Sequence, residues 1–236
     1  MPGAKQSVGL GAVQSDQTGS GALKGRPPQA PFLSGVILAA GASSRMGRPK
    51  QLLPLADRPL LQHVLDAAAN SCLDEIIVVL GHRAQEIDTA IQLPSQRAIR
   101  VVVNPDYALG QSTSLRLGLR ATHAGAEAAA ILLGDQPHVT GALIDRVAAA
   151  FVAAAAPVVR PVHTDPRGHR VPGHPVFLAR RIWPEVEQLR GDQGARVLLS
   201  VHPDWLLEVP LESDLPNDID TWEEYQRSLT PRGPQR

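Results

Sequence analysis

The chain has 236 residues, 43% of them hydrophobic, enough to build one α/β domain around a sizeable core. Its formal net charge is zero and only 3% of it is aromatic, so it has neither a broad basic face nor a set of base-stacking platforms, and nucleic acid is excluded as the expected partner. The single cysteine, Cys72, rules out an internal disulfide or a cysteine-based zinc cluster and is expected as a small core residue.

Residues 1–33 are rich in Gly, Ser, Gln and Pro and lack the apolar centre of a secretory signal, so they are expected to form a disordered extension. No apolar run is long enough to cross a bilayer, and a cytoplasmic protein with no membrane partner is expected. Gly35 to Ala39 is predicted as the first strand. Leu61, Val64, Leu65 and Ala68 have helical spacing within Leu60 to Ala69, and Glu75 to Leu80 is a continuous β-rich run that completes a βαβ unit. A helix from Ala84 to Ile91, a strand from Ile99 to Val103, a short helix from Ser112 to Ala121 and a buried strand from Ala128 to Leu133 follow. Thr140 is predicted to cap an Ala-rich helix that ends near Ala154. The alternation then weakens. Val158 to Val162 and Pro175 to Leu178 flank a Gly/Pro/His-rich segment, and a late strand from Trp205 to Val209 precedes a final helix near Trp222. The pattern predicts an α/β, Rossmann-like fold: one domain over 34–228, a mostly parallel sheet with helices on both faces, and a flexible tail at 229–236.

The loop after the first strand, Ala39-Ala-Gly-Ala-Ser-Ser-Arg-Met-Gly-Arg-Pro-Lys50, lacks both the P-loop ending and the dinucleotide-binding glycine spacing. Its Gly41 and Gly47 permit close backbone approach, its small side chains leave room, and Arg45, Arg48 and Lys50 supply positive charge suited to a triphosphate. The same residues would also make an ordinary strand-to-helix connection with solvated basic side chains. Position favours a ligand, because open parallel sheets bind at the carboxyl ends of their strands. Asp135 emerges at such an end and suits magnesium, which needs few protein carboxylates, or it forms a turn with Gly134 and Pro137. Asp218 and Asp220 offer a second acidic site, or help begin a helix in which Thr221 and Glu224 have capping-box spacing. The segment from Asn104 to Ser114 joins a strand to a helix, where Ser112 either meets a nucleotide or serves as an N-cap. Residues 169–177 have small and basic groups suited to an anionic acceptor, or His169 and His174 are simply loop residues, and 191–196 either line that pocket or begin a helix. The histidines lack zinc-ligand spacing.

Together, Leu38-Ala-Ala-Gly-Ala-Ser-Ser-Arg-Met-Gly-Arg-Pro-Lys-Gln-Leu-Leu-Pro-Leu55, Gly110-Gln-Ser-Thr-Ser-Leu115, Gly134-Asp-Gln-Pro137, Gly173-His-Pro175, Gly191-Asp-Gln-Gly-Ala-Arg196 and Asp218-Ile-Asp-Thr221 resemble the molybdenum cofactor cytidylyltransferase family. That family is related to the molybdenum cofactor guanylyltransferases. The resemblance runs from Gly35 to about Tyr225 in the family's order. It implies a glycosyltransferase-A-like nucleotidyltransferase fold and magnesium-dependent transfer of CMP from CTP to the phosphate of molybdopterin or the molybdenum cofactor, with pyrophosphate leaving. By motif, Arg45, Lys50 and Asp135 are implied as catalytic, and Leu38, Ala39, Ala40, Gly41, Arg45, Lys50, Asn104, Gly110, Gln111 and Ser112 as nucleotide-binding. Gly173, His174 and Asp192 are implied at the acceptor, and Asp135 and Asp220 at Mg2+ with Asp218 as a helper. Ala40 stands where guanylyl-transferring relatives have glycine, which leans the donor towards CTP. GTP, a sugar or alcohol phosphate acceptor, and a non-catalytic carrier of the cofactor that serves a recipient molybdoenzyme stay open as alternatives.

Overall fold

A computed structural model describes residues 30–43, 46–165, 167–211 and 218–229. The apolar runs at the centre of the sheet form strands buried on both faces, whereas the edge run from Ala98 to Val103 is partly exposed. Along β1 (Leu33–Ala39), Val36 packs to one side of the sheet while Ile37 and Ala39 pack to the other. β4 (Glu75–Leu80) divides the same way, with Ile76, Val78 and Leu80 opposed to Ile77 and Val79. These continuous apolar runs require helices on both sides.

The first layer consists of α1 (Leu60–Ala69), α2 (Ala84–Ala90) and α4 (Gly141–Ala154), which bury Leu61, Val64, Leu65, Ile87, Ile144, Val147 and Phe151. On the opposite layer, α3 (Gln111–Arg120), α5 (Trp183–Val186) and α6 (Ala195–Val201) contribute Leu115, Leu119, Val186 and Leu198. Each fully buried aliphatic side chain contributes about 1.5–3 kcal/mol, so both layers are strongly held. A Cβ at Gly118 of α3 would meet Val36 Cγ1 at 2.4 Å, so glycine lets this helix lie close against β1. The α3 N-terminus is thereby held beside the carboxyl end of the sheet.

With β5 (Ala98–Val103), β6 (Ala128–Leu133), β7 (Val158–Thr164), β8 (Arg170–Pro172), β9 (Val176–Ala179) and β10 (Leu206–Leu211), the sheet has the order β10-β7-β9-β6-β1-β4-β5, with β8 paired to β7. β8 and β9 run against the other strands. From β1 the chain steps outward to β4 and β5, then returns to β6 on the other side of β1. This reversal opens a crevice at the carboxyl ends of β1 and β6.

The mostly parallel α/β sheet matches the expectation, and the helix and strand bounds differ mainly at their ends. β1 begins at Leu33 and the Phe32 carbonyl accepts from Glu127 N at 2.8 Å, so the sheet starts before the expected end of the extension at residue 33. Residues 1–29 and 230–236 lie outside the described residues. β8 and the hairpin of β2 (Pro54–Leu55) and β3 (Arg58–Pro59) were not anticipated; Ala56 and Asp57 turn that hairpin with φ of 45° and 64°. Cys72 is exposed, contrary to the core position expected, because it follows α1 in a turn where its N–H donates to Asp145 Oδ1 at 2.6 Å. A last helix, α7 (Trp222–Leu229), packs Tyr225 with Met46, Leu53, Leu60 and Ile219 beside the crevice.

Candidate active site

β1 ends at Ala39 and the chain leaves the sheet through small residues that keep the crevice open. The buried Gln51 amide holds this loop from behind, Nε2 donating to the carbonyls of Ala39 at 2.9 Å and Gly41 at 3.2 Å. Lys50 N donates to Ser43 Oγ at 3.1 Å, which ties the loop to the following 3-10 turn, Lys50–Leu52.

Lys50 Nζ contacts the Asp135 carboxylate and lies 2.6 Å from Asp220 Oδ1, joining residues 170 positions apart in the chain. Asp135 stands in the turn that follows β6, where Gln136 N donates to Leu133 O at 3.3 Å. The turn reading of Asp135 therefore holds, and the turn carries its carboxylate to Lys50. Asp220 is also serving two ends. Glu224 N donates to Thr221 Oγ1 at 3.2 Å while Glu224 Oε2 accepts from Asp220 N and Thr221 N at 2.9 Å, so the capping box forms and fixes the backbone that carries the Asp220 carboxylate. Ile219 N donates to Asp135 O at 3.2 Å, and Gln136 Nε2 donates to Asp218 Oδ1.

One ammonium thus faces the carboxylates of Asp135 and Asp220, with Asp218 close enough to raise the Asp135 pKa further. Burial disfavours the Lys50 ammonium, but Asp135 and Asp220 together outweigh that cost and hold its pKa above the ordinary lysine value. Burial pushes Asp135 up from the ordinary carboxylate range against the opposing charge of Lys50. Burial also pushes His174 down to about 4, with Arg160 adding to the effect and Asp135 opposing it, so the imidazole is neutral near pH 7.

The group suits a divalent cation on two counts. Among the described residues acid exceeds base around it, and Asp135 Oδ1 is buried with no hydrogen-bond partner. Among the described residues no set of three or more His, Cys, Asp or Glu forms a self-contained metal cage. Magnesium bound through one or two carboxylates, substrate phosphates and water needs none.

These elements enclose a cavity of about 690 Å3, lined by Leu38, Ala39, Ala40, Gly41, Lys50, Gly110, Gln111, Asp135, Asp192 and Asp218 among the residues expected at the site. Its far wall is α3 with the 191–194 segment. Gly110 has φ of +106°, and a Cβ there would lie 2.2 Å from Gly191 C, so only glycine fits. Ser112 N donates to Gly191 O at 3.0 Å and Gln111 N to Asp192 Oδ1 at 3.3 Å, which sets Asp192 against the expected nucleotide residues.

Other described residues expected at the site are not among those that line the cavity. Asn104 is buried and donates to Thr113 Oγ1 at 2.8 Å and Ser114 Oγ at 2.9 Å, bracing the start of α3. Ser112 is buried and, among the described residues, its Oγ has no partner. Gly173 is buried, and His174 Nδ1 lies 3.4 Å from Gln136 Nε2. Asp220 reaches the site through its pair with Lys50, and Arg45 lies outside the described residues. Gln51, Gln136 and the lining residue Tyr107 were not singled out from sequence. The first two directly follow Lys50 and Asp135, and that adjacency was the available signal.

Residues 35–206 match the family described as the MobA-like NTP transferase domain. Purine catabolism protein PucB of Bacillus subtilis (strain 168) is 36% identical over 205 residues, 84% of this chain and 96% of that protein. Nicotine blue oxidoreductase of Paenarthrobacter nicotinovorans is 33% identical over 204 residues, 84% of this chain and 97% of that protein. The crystal structure of Rv0371c from Mycobacterium tuberculosis H37Rv superposes with a TM-score of 0.73 at 33% identity, covering 85% of this chain and 98% of that one. A structure of Rv0371c in complex with manganese gives a TM-score of 0.70 at 32% identity, with the same coverage of both chains.

Proposed function

The chain belongs to the MobA-like NTP transferase family and is a nucleotidyltransferase, and from that premise we propose that it moves CMP from CTP to the terminal phosphate of molybdopterin or the molybdenum cofactor, releasing pyrophosphate. The observation that carries this reading is the Lys50 ammonium in contact with Asp135 and Asp220 at a cavity lined by small residues from strand ends. The relatives' names span a purine catabolism protein and an oxidoreductase, so the acceptor is argued from the motifs. CTP is favoured because Ala40 lines the cavity at the position where guanylyl-transferring relatives have glycine.

In the proposed step an oxygen of the acceptor phosphate attacks the α-phosphorus of CTP in line. A new P–O bond forms as the bond from the α-phosphorus to the bridging oxygen breaks, and pyrophosphate leaves with that oxygen. The attacking phosphate is already largely ionised near neutral pH, so no general base is needed. His174, whose pKa burial lowers to about 4, is a weak base and is not among the residues that line the cavity. Lys50 turns from the carboxylates towards the triphosphate and lowers the repulsion between two anions, while the loop after β1 fixes alignment. Arg45, by its motif position, stabilises charge on the departing pyrophosphate. Asp135 and Asp220 would hold magnesium with Asp218 as a helper, and the ion when bound supplies charge neutralisation at the phosphates. Of the proposed acceptor residues Gly173, His174 and Asp192, Asp192 is the one that lines the cavity, and on this reading the product passes to a recipient molybdoenzyme.

Such a reaction draws on the cytoplasmic nucleotide pool, and no helix among the described residues is long and apolar enough to cross a membrane. The test mixes the protein, molybdopterin, magnesium and each nucleoside triphosphate in turn, then reads pyrophosphate release and the mass of the pterin product. Of these, only CTP should add the mass of a cytidylyl group, that of CMP less one water. A guanylyl product would overturn the donor, and bound pterin without pyrophosphate would replace the enzyme with a carrier.

A further inference from the structure

Gln51 is buried to 2% exposure inside a loop that faces the cavity, and its position raises the question of what a buried amide does there. Its Nε2 donates to the carbonyls of Ala39 and Gly41, while the carbonyl between them, Ala40 O, accepts from His82 N at 3.1 Å. Three successive loop acceptors are thereby committed to the protein. Among the described residues the N–H groups of Gly41 and Ala42 have no hydrogen-bond partner, and both residues are exposed and line the cavity. Ser43 Oγ lies 3.4 Å from Gln51 Oε1 and accepts from Lys50 N, so the same amide joins the loop to the cationic residue.

We propose that Gln51 is a positioning residue that makes the loop after β1 a donor-only cradle for the phosphates of the substrate; this rests on the nucleotidyl-transfer reading above. A loop with its carbonyls withdrawn and its amides free favours an anion, because backbone N–H groups are dipoles aimed at negative charge. Gln51 differs in this from Lys50. Lys50 supplies charge, whereas Gln51 removes the acceptors that would repel a phosphate oxygen. A glutamate at 51 could not donate to two carbonyls and would add negative charge, and a methionine would keep the volume but lose both donors. If Gln51 served only to satisfy buried carbonyls, its loss would lower stability without a selective effect on phosphate binding.

The experiment measures dissociation constants for CTP, pyrophosphate and cytidine by calorimetry in magnesium buffer for wild type, Gln51→Met, Gln51→Glu and Lys50→Met, together with KM and kcat. Gln51→Met should weaken CTP and pyrophosphate about tenfold or more, with Gln51→Glu weaker still, a larger rise in KM than fall in kcat, and little change for cytidine. Wild-type constants in Gln51→Met overturn the proposal even if its melting temperature drops. Should the variants not fold, amide NMR of the wild-type protein decides. Pyrophosphate must shift the Gly41 and Ala42 N–H resonances, and unmoved resonances refute the cradle. A wild-type protein that binds no triphosphate defeats the reading of the site and Gln51's role with it. Binding that depends on Lys50 but not on Gln51 defeats the role of Gln51 alone.

Discussion

Replacing Lys50 by Met keeps most of the side-chain volume and deletes the one ammonium that joins Asp135 to Asp220. The side chains of Lys50 and Asp135 are only 16% and 14% exposed, so the Asp135 carboxylate is left buried beside other acids with no counter-charge. Breaking a buried pair costs about 3–5 kcal/mol, and the 39% exposure of Asp220 argues for the lower end, about 3 kcal/mol. In a domain of this size that is a fall of roughly 6–12 °C in melting temperature. The sign with pH follows from Asp135, whose pKa is already raised. Without Lys50 its folded-state pKa rises further, so the variant's deficit is full above that raised pKa and shrinks as pH falls through it and the carboxylate is neutralised. Magnesium should restore part of the loss, stabilising Lys50→Met more than wild type because it supplies the missing positive charge. Calorimetric melts at several pH values, with and without magnesium, measure this. Equal melting temperatures without divalent cation, or equal stabilisation of both proteins by magnesium, would refute the reasoning.

His174 should carry an acid-dependent cost. Its folded-state pKa is pushed from 6.5 to about 4, so stability is unaffected above 6.5 and declines as pH falls between these values, by at most about 3 kcal/mol; denaturant midpoints of His174→Gln should decline less over that range than those of wild type. Gly110→Ala forces a side chain into a left-handed backbone conformation against Gly191, costing about 1–3 kcal/mol, and CTP titrations should show weakened binding. Thr221→Ala removes half of the capping box at about 1 kcal/mol and should raise the magnesium concentration needed for half-maximal activity, with Asp220→Asn raising it more.

The strands at Glu75–Leu80 and Ala128–Leu133 were readable to the residue, because a doubly buried strand is a continuous apolar run bounded by turn residues. β8 was not, since Arg170–Pro172 has three exposed residues and no apolar signal. The direction of β9 was hidden as well, because its run Val176–Ala179 reads the same whether it pairs parallel or antiparallel. At the site, the loop after β1 and Asp135 were legible from their position at strand ends. Lys50 and Asp135, which local sequence offered separately, are in contact. For Asp220, local sequence offered capping or a site role as alternatives, yet the backbone cap and the carboxylate pairing are made by different atoms of the same segment. Gln51 and Gln136 escaped notice because an amide's function lies in which carbonyl or carboxylate it meets, and those partners come from distant parts of the chain.

The most direct test soaks crystals with manganese and a non-hydrolysable CTP analogue and collects anomalous diffraction. The account predicts a manganese peak at the Asp135 and Asp220 carboxylates, with triphosphate oxygens on the same ion and Lys50 turned onto the phosphates. A nucleotide bound elsewhere, or manganese that ignores both carboxylates while Lys50 still bridges them, would contradict it.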